Sequence, residues 1–324
     1  MYWSLNQWYR PLSRVLLACI TMLLCIGTAM SQAQSNAADL QGTIRDPNGA
    51  AIVNANVMAR NLGTNLSREA TTNEDGFYKI LGLPPGDYEV TVKAANYKTG
   101  VIHLVTLTVG QTANQDIPLE IGDVTAVVTV SSASSAVVES SSSAVASTIE
   151  QQRINNLPIN ERSATGFALT LSTVGRDNGR PIGPAPTSGL NIGGQRGRST
   201  LVQVDGADYT DNSINASRST VSQEAVQEYQ VATNSYAAEF GRATGGIVNV
   251  VTKSGTNDFH GNLFGFIRHK SIQARYAFAP LIDNDPNKKP GFTRGQYGGT
   301  IGGPIKKDRT FFFASFEQRG RVNH

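Results

Sequence analysis

The sequence predicts a mainly β protein, because short runs of alternating apolar and polar residues are separated by turn-forming residues. Its 324 residues include 32 glycines and many serines, threonines and asparagines, a composition that favours short strands over long helices. After residue 34, no apolar stretch reaches the ~20 residues that a transmembrane helix needs. We therefore expect two β-rich domains, the first of them a small sandwich.

The N-terminus has the features of a secretory signal peptide, residues 1–33. Arg10 and Arg14 make it positively charged, and the apolar run Val15–Ile26 covers 12 residues, too few to span a bilayer. Ser31 and Ala33 have the spacing that signal peptidase recognises, which predicts cleavage after Ala33. The alternative is an uncleaved N-terminal anchor. We expect the protein to be exported.

Both cysteines, Cys19 and Cys25, lie in this segment. The mature chain is therefore predicted to have no disulfide, no cysteine metal site and no cysteine nucleophile. Subtracting Arg10 and Arg14 reduces the formal net charge from +3 to +1, which does not indicate nucleic-acid binding.

Residues 38–120 are predicted to form a sandwich of six or seven strands. Leu40, Gly42 and Ile44 share one face of the first strand. The segment DPNG then forms a turn, because proline presets φ and glycine accepts a positive φ. The run Tyr88–Val92 alternates apolar and polar residues with the period of two that indicates a half-buried strand.

Two segments of this domain, GTIRDPNGAAIVNANV and TTNEDGFYKILGLPPGDYEVTV, resemble the carboxypeptidase-regulatory-like family. The matching positions are Gly42, Asp46, Gly49, Val53, Ala55, Val57, Thr72, Gly76, Tyr78, Leu83, Pro84, Pro85, Gly86 and Tyr88. The resemblance implies a seven-stranded transthyretin-like or immunoglobulin-like sandwich, which is an accessory module without catalytic groups. It also allows carbohydrate binding.

The segment TTNEDG partly imitates a calcium-binding loop. Such a loop needs acidic oxygens at alternate positions and a bidentate glutamate at its end. Here Thr71 would occupy the first ligand position and Gly82 the last. The preferred interpretation is a tight hairpin, and we predict no metal site.

Residues 121–148 are predicted to be a linker that contains one short strand. Ser131–Ser147 has nine serines among 17 residues and cannot bury a core, so we expect a flexible tether. The strand before it consists of Val124, Thr125, Ala126, Val127, Val128, Thr129 and Val130. It resembles the TonB box of energised outer-membrane receptors, an exposed strand that a periplasmic partner captures by β-augmentation. The alternative is the closing strand of the sandwich.

No motif for catalysis or cofactor binding occurs in the sequence. Lys253-Ser254 follows Thr252 rather than glycine and adjoins a predicted strand, so it does not form a phosphate-binding loop. We expect Lys253 to be a solvated turn residue. Neither H-E-x-x-H nor G-x-S-x-G occurs, and the histidines are scattered, at His103, His260, His269 and His324. We predict no enzyme activity and no cofactor.

From residue 149 the sequence predicts a mixture of short helices and strands. Two amphipathic pieces are separated at Leu157-Pro158, and a short helix is expected near Ser222–Tyr229. Strands are expected over Leu201–Val204 and Ile247–Thr252.

Beyond Gly261 the pattern becomes that of a membrane barrel. Tyr297 and Ile301 point to one side of a strand, and Gln296 and Thr300 point to the other, as an apolar-out, polar-in wall requires. The segment TFFFASFE carries four phenylalanines suited to a lipid-facing band or an interfacial girdle.

Three segments resemble the plug and first barrel strands of TonB-dependent receptors, in particular the Oar-like branch, in which a regulatory-like sandwich precedes the plug. They are GLNIGGQRGRSTLVQVDGADYTDNS, AVQEYQVATNSYAAEFGRATGGIVNVVTKSGTNDFHGNLFGFIR and GGTIGGPIKKDRTFFFASFE. The resemblance assigns residues 149–260 to an α+β plug and 261–324 to the first strands of an outer-membrane β-barrel. Since such a barrel has about 22 strands, these last 64 residues would leave it incomplete, and we expect a fragment or a truncated reading frame.

The resemblance implies the N-terminal part of an energised outer-membrane transporter, with the sandwich and linker in the periplasm. Its partners would be the TonB complex, the barrel assembly machinery and outer-membrane lipid, and its substrate a siderophore, a glycan fragment or a peptide. The fragment alone is not expected to transport. The alternative is a secreted carbohydrate-binding protein that acts through the sandwich.

Overall fold

The computed structural model describes residues 36–122, 127–129, 145–156, 164–176, 189–211, 216–217, 221–236, 241, 243–272, 274, 285 and 291–323. Strands predominate among them, as predicted, and the helices are short. In this part of the chain, no helix is long and apolar enough to cross a membrane. The predicted signal peptide and most of the serine-rich segment lie outside the described residues.

The N-terminal domain is a β-sandwich made of two sheets. Its strands are β1 (Ala38–Arg45), β2 (Asn56–Asn61), β3 (Ser67–Thr71), β4 (Phe77–Leu83), β5 (Gly86–Lys93), β6 (Thr99–Leu107), β7 (Thr112–Asn114), β8 (Ile117–Pro118) and β9 (Val127–Thr129). One sheet has the order β4-β1-β7, with β8 also paired to β1, and the other has the order β3-β2-β5-β6-β9. Because β7 and β8 are two pieces of one segment along β1, the domain has the seven strands predicted, with β9 as an eighth.

Alternating side chains of the two sheets form one apolar core. Leu40 and Ile44 of β1 and Tyr88 of β5 are fully buried, which confirms the alternation predicted for these strands. Gly42 lies between the first two, where a Cβ atom would approach the Gln115 carbonyl oxygen to 2.0 Å. Glycine is needed here because the segment that contains β7 and β8 passes directly alongside β1.

The TTNEDG segment is a tight turn but not a hairpin. Asn73 Oδ1 accepts hydrogen bonds from the N–H groups of Asp75 (3.1 Å) and Phe77 (2.8 Å), and Gly76 has a φ of 72°. The hairpin prediction is wrong because β3 pairs with β2, whereas β4 pairs with β1 in the other sheet. Within the described residues, no group of three or more potential metal ligands occurs.

An α+β domain follows the sandwich. It contains β10 (Val145–Ile149), α1 (Gln151–Asn156), α2 (Ala164–Ala168), β11 (Val174–Arg176), β12 (Leu190–Ile192), β13 (Thr200–Val204), β14 (Ala207–Asp208), β15 (Thr210–Asp211), β16 (Ala216–Ser217), β17 (Val226–Asn234) and β18 (Gly246–Thr252). Its main sheet has the order β10-β17-β18-β13-β14. The helices contribute Ile154 and Phe167 to a core that also contains Tyr229 and Val248 of the sheet.

The helix predicted near Ser222–Tyr229 is wrong. Gln223–Ala225 forms one turn of 3₁₀ helix, and Val226 already begins β17. Because β17 pairs with β10 on one side and β18 on the other, sheet pairing outweighs the local helix preference of this segment. The strands predicted over Leu201–Val204 and Ile247–Thr252 are confirmed as β13 and β18.

The last three strands are long and form a separate antiparallel sheet. They are β19 (His260–His269), β20 (Phe292–Lys306) and β21 (Thr310–Asn323), in this order across the sheet. The pairing of β20 with β21 runs from Phe292↔Asn323 to Lys306↔Thr310. Residues 307–309 alone connect β20 to β21, whereas residues 270–291 connect β19 to β20.

Candidate partner-binding site

Part of the predicted TonB-box strand lies at the edge of the sandwich. Val127–Thr129 forms β9, which pairs in parallel with Thr99–Val101 of β6 as the last strand of its sheet. Val124, Thr125, Ala126 and Val130 lie outside the described residues. The pairing is that of a closing strand. β9 closes the sandwich. Among the described strands, none pairs with its second edge, so the backbone N–H and C=O groups on that edge are available to a partner strand.

One face of the β19–β21 sheet is apolar and exposed. Leu263 is 92% exposed, and the register places it on the same face as Phe316 of β21. Tyr297 and Ile301 are also exposed on this face, whereas Gln296 is buried on the other, as predicted. A contiguous exposed apolar face of this kind marks a surface that contacts protein or membrane.

The opposite face of the same sheet, the polar face, combines hydrogen-bonding side chains that contact the α+β domain with Phe264 and Phe266 of β19. Thr300 Oγ1 donates a hydrogen bond to Asn262 Oδ1 (2.6 Å), and Asn262 Nδ2 donates one to the Glu224 carboxylate. Ser222 Oγ donates to Glu317 Oε2 at 2.6 Å. Because Ser222 and Glu224 lie at the 3₁₀ turn before β17, this turn joins the polar face to the α+β domain.

The four phenylalanines of β21 are divided between the two faces. Phe312 and Phe316 lie on the apolar face, whereas Phe311 and Phe313 lie on the opposite one. The Phe313 ring stacks on His260, with 6.4 Å between ring centroids. A lipid-facing band of all four is therefore wrong, because successive side chains of a strand point to opposite sides.

Lys253 follows β18 directly and is half-buried, so the prediction of a solvated residue is wrong. Its backbone N–H donates to the Ala225 carbonyl oxygen at 2.8 Å. Burial lowers the pKa of the Lys253 ammonium group, and the nearby Glu224 carboxylate offsets part of this effect. The residue thus lies against the 3₁₀ turn that contacts the β19–β21 sheet.

A polar cluster joins the sandwich to the short turn between β20 and β21. The Asn257 N–H donates to the Gly63 carbonyl oxygen (2.9 Å), and Asn257 Nδ2 donates to Asp308 Oδ1 (2.9 Å). Asn65 Nδ2 donates to the same carboxylate oxygen at 2.7 Å. The sandwich and this turn therefore lie at the same end of the molecule.

Sequence reasoning missed the residues that connect the three parts of the chain. Ser222 and Glu317 are 95 residues apart, and Asn65 and Asp308 are 243 residues apart. Isolated polar residues carry no periodic signal. Asn65 lies in a turn with a positive φ of 58°, a conformation that asparagine tolerates, so its presence in the sequence does not point to a long-range contact.

Two family models match separate parts of the chain. Residues 39–120 match the carboxypeptidase regulatory-like domain, and residues 251–323 match the outer membrane beta barrel domain. The TonB-dependent transporter Oar of Myxococcus xanthus is 29% identical over 276 residues, which are 81% of this chain and 25% of the transporter. The chain is homologous to this transporter and spans about a quarter of its length.

Two solved structures of siderophore receptors also overlap with the chain. The receptor PirA from Acinetobacter baumannii matches 55% of the chain at 22% identity, with a TM-score of 0.37 over 24% of the receptor. PirA from Pseudomonas aeruginosa matches 55% of the chain at 22% identity, with a TM-score of 0.35 over 28% of the receptor. Similarity at this level does not indicate a shared substrate.

Proposed function

We propose that the chain is the N-terminal part of a TonB-dependent outer-membrane receptor, with β10–β18 as the plug and β19–β21 as the first strands of the barrel. The observation that supports this proposal is the difference between the two faces of the β19–β21 sheet. Leu263 and Tyr297 are exposed on its apolar face, and its polar face contacts Ser222 and Glu224 of the α+β domain. Barrel strands place apolar side chains toward lipid and polar ones toward the lumen, where a plug lies.

The lengths of the connections support a periplasmic position for the sandwich. Bacterial outer-membrane barrels have short periplasmic turns and longer extracellular loops. Residues 307–309 would then face the periplasm, and the Asp308 carboxylate of this turn accepts hydrogen bonds from Asn65 of the sandwich and from Asn257, whose own N–H donates to Gly63 of the sandwich. An N-terminal module exported ahead of the barrel would lie at this end.

The TonB complex is the partner proposed for the segment Val124–Val130. Its described part, β9, is held by only three backbone pairs at a sheet edge. A partner strand can bind such an edge through main-chain hydrogen bonds. The serine-rich segment beyond it would give the reach needed between periplasmic partner and plug. The barrel assembly machinery and outer-membrane lipid are the further partners, and a siderophore, a glycan fragment or a peptide is the substrate.

Cell fractionation of the natural host tests the proposed location. We expect the chain in the outer-membrane fraction after extraction with alkaline carbonate, with residues 1–33 removed. Recovery in the soluble periplasmic or extracellular fraction would contradict the receptor. Combined with binding to an immobilised polysaccharide, that result would favour a secreted carbohydrate-binding protein.

Cross-linking to the periplasmic domain of TonB tests the proposed partner strand. Val128→Pro removes a backbone N–H donor from the strand and should abolish the cross-link. Ser134→Pro places the same residue in the serine-rich segment and should leave the cross-link unchanged. Equal cross-linking of both variants and the unaltered chain would exclude Val124–Val130 as the TonB-binding strand, whatever the fractionation shows.

A further inference from the structure

The main sheet of the α+β domain has a second buried face, opposite its apolar core, on which polar side chains lie beside the apolar Ile247 and Val251; we call it the polar face. Gln203, Asn249 and Gln230 lie side by side across β13, β18 and β17, and Glu228 lies on the same face of β17, two residues before Gln230 and opposite Val251. Glu228 is 6% exposed and Asn249 is 2% exposed. The other face, with Tyr229, forms the apolar core of the domain. Since polar side chains are rarely buried in a sheet without a reason, a specific contact covers this face.

The sandwich supplies that contact through the turn after β6. The Val109 N–H donates to Glu228 Oε2 at 2.8 Å, and Gln230 Nε2 donates to the Val109 carbonyl oxygen at 2.8 Å. Both backbone hydrogen-bonding groups of one residue are thus held by two side chains of β17. Gly110 has a φ of 68°, and a Cβ atom there would lie 3.0 Å from Gln230 Nε2. We call the contact of Val109-Gly110 with Glu228 and Gln230 the latch.

Some polar groups of this face are poorly satisfied while the latch is closed. Gln203 Oε1 and Asn249 Oδ1 are buried without a hydrogen-bond partner among the described residues. Asn249 Nδ2 does donate to Asn36 Oδ1, at 2.8 Å. Opening the interface would let water reach the unpaired oxygens, which offsets part of the hydrogen bonding lost. An interface of this polarity is suited to reversible contact between domains.

We propose that the polar face of the plug sheet is a reversible docking surface for the sandwich of the same chain, closed through the Val109 peptide group. β17 carries the latch and also pairs with β10, the strand that follows the serine-rich segment. A pull on that segment would act on β10 first, and the latch would oppose the movement of β17. This role in the plug rests on the proposed function, whereas the docking itself does not.

Docking should depend on pH because Glu228 is buried without a positive partner acting on it. Burial raises the pKa of the Glu228 carboxyl from 4.5 to about 7, and the Val109 N–H offsets part of this rise. The Glu150 carboxylate, which follows β10, raises it further, and it is the other titratable group acting on Glu228 among the described residues. The docked state therefore binds a proton more tightly than the open state. Docking is strongest at acidic pH and weakens as the pH rises from 4.5 to about 7.

Hydrogen exchange of the Val109 amide in the full chain tests the latch directly. Protection is expressed relative to the intrinsic exchange rate at each pH, which removes the chemical effect of pH. In the unaltered chain we expect protection to fall by at least about tenfold between pH 5.5 and pH 8, because each unit by which docking raises the pKa of Glu228 corresponds to a tenfold change in the docking equilibrium. Segments 88–92 and 247–251 report whether each domain stays folded.

Three variants separate the latch from general stability. Glu228→Gln keeps an oxygen acceptor without the charge, so it should hold the amide protected at both pH values. Glu228→Ala should lower protection at both. Glu74→Gln, in an exposed turn of the sandwich, should behave like the unaltered chain. Two results would overturn the latch: protection of the Val109 amide that is the same at both pH values in the unaltered chain, or protection in Glu228→Ala that equals that of the unaltered chain. Either result would leave the receptor proposal intact.

Discussion

The sandwich and the β19–β21 sheet use the same alternation of apolar and polar side chains, but they satisfy it in different ways. In the sandwich the apolar faces of two sheets meet, and Leu40 is fully buried. In the β19–β21 sheet the polar face meets the α+β domain, and Leu263 on the apolar face is 92% exposed. Full burial of a leucine side chain stabilises a fold by roughly 1.5–3 kcal/mol. The sandwich gains this within the chain, whereas in the proposed receptor lipid would supply it to the β19–β21 sheet.

The difference shows that period-two alternation identifies a strand but not what covers its apolar face. The sandwich pairs two sheets that curve over one core, and Gly42 permits the close approach of the last segment. The β19–β21 sheet instead directs its hydrogen-bonding side chains toward Ser222 and Glu224. The face on which the polar contacts form therefore decides which face of the sheet remains exposed.

The largest expected effect lies in the sandwich core. Leu40→Ala should lower the free energy of unfolding of the sandwich by about 2–5 kcal/mol, because it leaves a cavity at a fully buried site. Leu104 is 55% exposed, and Leu104→Ala should change the stability by no more than about 0.5 kcal/mol. Urea unfolding followed by proteolysis of the sandwich measures both. A similar loss of unfolding free energy in both variants would show that Leu40 does not lie in the core.

The next effect concerns the apolar face of β19–β21. Leu263→Arg should destabilise the membrane-inserted state by roughly 2–4 kcal/mol if residue 263 lies near the bilayer centre. Leu104→Arg makes the same change at an exposed leucine of the sandwich and should have no effect on insertion. The fraction of each variant that resists carbonate extraction from outer membranes measures the difference. Equal insertion of the two variants would mean that Leu263 does not face lipid.

A smaller effect extends the comparison to the α+β domain, through two buried tyrosines. Tyr88 OH in the sandwich donates to the Pro84 carbonyl oxygen at 2.7 Å, so Tyr88→Phe should cost about 0.5–1.5 kcal/mol. Burial raises the pKa of Tyr229 in the α+β domain, and its hydroxyl has no hydrogen-bond partner among the described residues. Tyr229→Phe should therefore be neutral or stabilising. Urea unfolding compares the two, and an equal loss for both would contradict the unpaired hydroxyl.

The sandwich could be predicted almost strand by strand, because its signals are local. The turn at Asp46–Gly49 and the alternation over Tyr88–Val92 each depend on residues close in sequence. The TTNEDG turn was placed correctly, but its connection to a second sheet was missed, since pairing with β1 is a long-range contact.

The contacts between the three parts of the chain could not be predicted in the same way. The segment Gln223–Tyr229 favours a helix locally, yet pairing with two neighbouring strands makes most of it β17. Glu228 has the sequence context of a solvated carboxylate, yet it is buried and accepts a hydrogen bond from Val109, 119 residues earlier. The four phenylalanines of β21 suggest one apolar surface, although a strand must divide them between two faces.

Labelling with a photoreactive phospholipid tests the central claim most directly. Outer membranes from cells that express the chain in its natural gene context are irradiated with lipid that carries a diazirine in the acyl chain, and labelled residues are located by mass spectrometry. The two-faced sheet predicts labels on Leu263, Tyr297 and Phe316, and none on Gln296, Thr300 or Glu317. Labelling of both faces alike, or of neither, would contradict the assignment of β19–β21 to the wall of a membrane barrel.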